Sequence, residues 1–106
     1  MLIKLSAVVV YWGDTVLKEV VVEIENSKLK RFIPLDAEYS DTLFYRGALL
    51  ITKNELSSMI SFENVNEYIR IGGKSLLNEE VCVYKISPIN LLDGSLTSST
   101  TLLRLI

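Results

Sequence analysis

The stretch VLKEVVVEIENSKLKRFIPL, residues 16–35, decides the fold. Val20, Val22 and Ile24 alternate with Val21, Glu23 and Glu25. That period of two sends the sets to opposite faces of a strand, whereas a helix would need apolar residues three and four apart. Asn26-Ser27 is a tight-turn signal. Residues 28–35 then return as a second arm, with Leu29 and Phe32 or Ile33 inward and the lysines outward. Pro34 has no N–H to give to a ladder, so it marks the end of that strand or a sheet edge. An irregularity is expected at Lys18-Glu19, where the alternation slips.

Outward from this hairpin the same signals recur. Residues 2–12, LIKLSAVVVYW, are rich in β-branched and aromatic types and lead into a Gly13-Asp14 turn. Residues 36–42 read as a polar loop and 43–51, LFYRGALLI, as a strand in which Gly47 predicts a bulge or a close backbone approach. The period then changes. Thr52-Lys-Asn-Glu55 has a capping-box pattern, Asn64-Val-Asn-Glu67 is the alternative start, and Gly72-Gly73 is the stop. Lys74–Leu77 is expected as a short strand and residues 80–86 as a clear one that Ser87-Pro88 breaks. Residues 89–92 are a short extended piece before a turn at Asp93-Gly94, and 101–106 form a closing strand. The fold class is mainly β: a small β-sandwich or open barrel of about seven or eight short strands, with a short helical insert near 53–70. The 106 residues suit a single domain, 1–106.

Composition excludes several function classes. Hydrophobic residues make up 49% and the net charge is −2, which predicts a packed core and no basic surface for a nucleic acid. No segment approaches the roughly 20 apolar residues of a membrane helix. The apolar start, Leu5–Trp12, is too short for a signal peptide and no A-x-A-like site follows it, so a cytoplasmic setting is expected. The single cysteine, Cys82, forms no internal disulfide and lies between Val81 and Val83, as a strand thiol would. The chain has no histidine, so it cannot build a His-based metal site, a Ser-His-Asp triad or a Cys-His dyad from its own residues.

The remaining chemical motifs are weak. Glu23 and Glu25 share a strand face, and paired carboxylates suffice for glycoside chemistry, but solvent-facing positions beside lysines account for them. Asp36, Glu38 and Asp41 offer oxygens without EF-hand spacing. Gly72-Gly73-Lys74-Ser75 lacks the first glycine of a phosphate loop, since Tyr68 stands there. No catalytic residue, cofactor or metal is expected. An interaction surface is expected from Tyr11, Trp12, Tyr39, Phe44 and Tyr45, because aromatic residues concentrate in binding hot spots; core packing competes for each.

A family resemblance sits on the same segments. Gly13-Asp14, Val16-Leu17, Val20–Ile24 and Leu29–Leu35, with FYRGALLI at 44–51 and INLLDGSLTSSTTLLRLI at 89–106, resemble the composite β-sandwich domain of the amidohydrolase superfamily, the urease-α-like metal-dependent hydrolases. The likeness spans residues 2–51 and 89–106, about two-thirds of the chain, and concerns the accessory domain only. It implies a sandwich in which both ends of the chain meet. After Ile51 a family enzyme would supply Pro-Gly and a His-x-His pair opening a metal-binding barrel; this chain has Thr52-Lys53-Asn54-Glu55. A barrel needs about 250 residues, and residues 52–88 are all that lie between the similar parts, so no catalytic residue carries over.

These readings predict a non-catalytic protein-interaction or self-association module, with a homo-oligomer or another protein as partner, and neither nucleic acid nor membrane. The alternatives are a small-ligand-binding sandwich with its pocket near 53–73, or an accessory subunit of a barrel hydrolase supplied in trans.

Overall fold

The computed structural model describes residues 1–35, 41–57 and 61–106. Its elements are β1 (Leu2–Trp12), β2 (Thr15–Lys18), β3 (Val20–Glu25), β4 (Lys28–Pro34), β5 (Thr42–Thr52), α1 (Val65–Gly72), β6 (Cys82–Ile89) and β7 (Leu96–Arg104). The strands form one sheet in the order β4-β3-β1-β5-β6-β7, with β2 also paired to β1. Neighbouring strands are antiparallel except β1 and β5, which run parallel.

The sheet curls back on itself. The Leu29 N–H donates to the Glu79 carbonyl at 3.0 Å, the Val81 N–H donates to the Ser27 carbonyl at 2.8 Å, and Lys28 bridges to Glu80. The start of β4 is thereby tied to the chain entering β6, so the described residues form a mainly β open barrel with one short helix.

Curling creates an inside and an outside, and each has its own apolar cluster. Leu5, Val10, Val22, Ile24, Leu29, Leu49, Ile51 and Val83 fill the inside. On the outside, Val9, Tyr11, Ala48, Leu50, Tyr84 and Ile86 pack under Leu56 and the α1 residues Val65 and Tyr68. The middle strands are therefore buried on both faces, which is why AVVVYW and ALLI read as apolar runs rather than as alternation.

Asn26 and Ser27 both have positive φ, 52° and 65°, so the expected hairpin closes on a turn with the twist that antiparallel strands prefer. Pro34 lies at the end of the edge strand β4, as its missing N–H requires.

Several expectations are corrected. The strand expected over 16–25 is two strands, divided at the anticipated irregularity: Glu19 adopts φ 55°. Thr52 caps no helix; it is buried at the end of β5, and its hydroxyl donates to the Asn54 carbonyl at 2.7 Å. Asn64 is the N-cap, its Oδ1 accepting the Asn66 N–H at 2.9 Å, and Gly73 closes the helix by donating to the Ile69 carbonyl. Lys74–Leu77 is a loop, not a strand. Pro88 does not end β6, because the ladder opens around it: Ser87 pairs with Thr101 and Ile89 with Leu96, leaving 97–100 opposite the proline. The Thr100 hydroxyl donates to the Pro88 carbonyl at 2.6 Å and bridges the gap. Among the described residues no helix is long and apolar enough to cross a membrane.

Candidate interaction surface

Two backbone irregularities meet on the outer face near the start of the parallel pair. Ala7 is opposite Tyr45 and Val9 is opposite Ala48, so Arg46 and Gly47 together face Val8. This is a β-bulge in β5, and it needs glycine. Gly47 has φ 89°, and a Cβ there would fall 2.9 Å from the Ile86 carbonyl oxygen. Across β1, the turn-like backbone of Glu19 breaks β2 from β3, and its carbonyl accepts the Leu35 N–H at 2.7 Å. The bulge and the kink together hold Leu35, Val8 and Phe44 around a shallow hollow of about 410 Å³.

The floor of this hollow is apolar in effect. Ser6 lies beneath it, but its hydroxyl is spent on the Val20 carbonyl at 2.7 Å. Phe44 is 61% exposed and Val8 56%; Val8 stands out between buried Ala7 and Val9, while Phe44 lies between exposed Leu43 and half-buried Tyr45. Glu19 and Arg46 stand on the wall as an anion and a cation. Among the described residues neither side chain makes an ion pair.

Of the described aromatic residues expected to form an interaction surface, Phe44 and Tyr45 line the hollow, whereas Tyr11 and Trp12 lie elsewhere. Tyr11 is buried beneath α1, 5% exposed, because β1 presents Val9 and Tyr11 to the outer cluster and Val10 and Trp12 to the inner one. Burial, and secondarily the charge of Asp93, push its phenol above the ordinary tyrosine pKa. Trp12 is a structural clasp. Its ring lies 5.1 Å from Phe32, Lys74 sits 4.5 Å over it, and its Nε1 donates to Ser75 Oγ at 3.3 Å. Tyr45 is half-buried against the inner core. Tyr39 lies outside the described residues, as do Asp36 and Glu38. Phe44 alone of the described aromatics in that set is strongly exposed.

Val8, Glu19, Leu35 and Arg46 were not expected in the surface. The signals that place them, the slip at Lys18-Glu19 and Gly47 within a strand, are legible in sequence. That the two irregularities flank the same stretch of β1 is a matter of pairing.

Elsewhere the geometry is less directed. An open concavity of about 540 Å³ lies beside Phe62, Glu63 and Leu96, near the insert where a ligand pocket was expected. A smaller one holds Cys82, whose Sγ is 3.6 Å from Arg104 Nη2 while Arg104 Nη1 donates to Glu55 at 2.6 Å. Glu23 is not solvent-facing as expected; it is buried and paired with Arg31 across the hairpin. Among the described residues no group of three or more His, Cys, Asp or Glu side chains is placed to hold a metal ion. No protein-family profile matches this chain, nor does a curated protein or a solved structure.

Proposed function

We propose that this chain is a non-catalytic interaction domain that docks a protein, either a different one or a second copy of itself, at Val8 of β1, Phe44 of β5 and the adjoining Leu35. The observation that carries the reading is Phe44: a large aromatic side chain, 61% exposed, on the wall of an apolar hollow with charged groups at the margin. Covering what remains exposed of such a ring contributes about 1–2 kcal/mol, and aromatic anchors with polar surroundings are what binding hot spots are made of. The absence of histidine from the sequence supports a binding role over hydrolytic chemistry of its own.

The test is capture from native lysate on immobilised wild-type chain and on a Phe44→Asp variant, together with light scattering of the purified chain. A protein held by the wild type and lost on the variant, or self-association lost in the same way, is expected. A chain that neither self-associates nor binds a protein through this face overturns the proposal. Capture of a barrel hydrolase would give the function its accessory-subunit form, the one the composite-domain resemblance implies.

A further inference from the structure

We infer that the occupant of this face is a second copy of the same chain, set across a two-fold axis. The inference rests on the docking face proposed above and names its partner. The face holds both parts of a contact, because the exposed Phe44 ring borders the hollow within one patch. A two-fold operation places Phe44 of each copy in the hollow of the other, which is how an isologous interface uses one surface twice. The face is also its own complement in charge. Glu19 and Arg46 flank the apolar centre on opposite sides, on the β2–β3 kink and on the β5 bulge, and neither has an ion-pair partner among the described residues. The same rotation brings each Arg46 toward the other copy's Glu19. A net charge of only −2 per chain puts little long-range repulsion in the way. The patch is small, so the dimer belongs to the weak class, forming at roughly 10–100 µM chain.

Sedimentation equilibrium of the full chain from about 5 to about 500 µM spans that range. Wild type passes from monomer to dimer. Glu19→Arg sets arginine against arginine and Arg46→Glu sets glutamate against glutamate, so each weakens association by about tenfold or more. The double variant, Glu19→Arg with Arg46→Glu, restores opposite charges and returns to within about threefold of wild type. Far-UV circular dichroism and Tm confirm that each variant is folded. If one is not, a Val8→Cys chain on a Cys82→Ser background gives an independent readout: oxidation links the copies at the axis, and added Phe44→Asp prevents it.

A chain that stays monomeric throughout, or single charge reversals without effect, or a double variant no better than the singles, overturns the inference. If the chain is monomeric while a different protein is captured through Phe44, the docking face stands and the identity of its occupant falls. If Phe44→Asp alters neither capture nor association, both fall.

Discussion

The outer face of β1 and β5 has two halves with opposite fates. Toward the end of the strands, Val9, Tyr11, Ala48 and Leu50 are covered by Leu56, Val65 and Tyr68. Toward the beginning, Val8 and Phe44 carry no such cover among the described residues and are more than half exposed. The residue types are alike, and so is the strand pairing; what differs is that α1 lies over one half. A sheet buries an apolar face only where another layer lies over it. The uncovered half therefore has the character of a core face waiting for a layer, and the bulge at Gly47 and the kink at Glu19 mark the line between the two.

The sharpest way to break this contrast is to damage the covered half. Leu50→Ala removes a fully buried side chain under α1 and should lower stability by about 3 kcal/mol in urea unfolding. Gly47→Val attacks the dividing line. Its Cβ meets the Ile86 carbonyl and its φ is unfavourable to any side chain, so a loss of about 2 kcal/mol is expected, with Phe44-dependent association lost as well.

Tyr84→Phe probes the polar seam of the cover. The Tyr84 hydroxyl accepts the Leu56 N–H at 2.8 Å in a buried setting, and an orphaned amide should cost about 1–2 kcal/mol. The same residue predicts a pH effect. Burial raises the Tyr84 pKa above its ordinary value of 10.0, and Tyr11 is raised likewise. Both phenols stay protonated in the fold at pH values where the unfolded chain already ionises. The stability contributed by these two phenols is therefore complete below pH 10 and is lost as pH rises beyond it. Absorbance titration should show these phenols ionising late, and Tyr84→Phe should flatten the alkaline loss.

The smallest effect is the most informative. Phe44→Ser should change monomer stability by no more than about 0.5 kcal/mol, since the ring covers little of its own chain, while abolishing association. A large loss of stability from Phe44→Ser in dilute protein would mean that this half is covered after all.

Much of the fold is legible because its signals are local. The Asn26-Ser27 hairpin and the bulge glycine each act within a few residues of themselves, so reading the residues in order finds them. The choice between Thr52 and Asn64 as the cap was not legible. Both carry the same side-chain pattern, and Thr52 is drawn into β5 by pairing with Cys82 across the sheet. Pro88 misleads for a related reason: a local rule ends the strand there, while β7 bends around the proline and its Thr100 hydroxyl bridges the opening. The candidate surface was half legible. Phe44 is identifiable as an aromatic on a strand, but Tyr11 has the same description and is buried.

By itself the sequence determined the β class, the position of most strands, the hairpin turn at Asn26-Ser27 and the exclusion of histidine chemistry, because each follows from residue type, period or turn geometry over short range. Only the tertiary structure decided which face of each strand is inside, which part of the outer face the helix covers, and that Glu19 and Arg46 flank one hollow. Those outcomes depend on the parallel pairing of β1 with β5, a contact between segments some forty residues apart whose register no local pattern encodes.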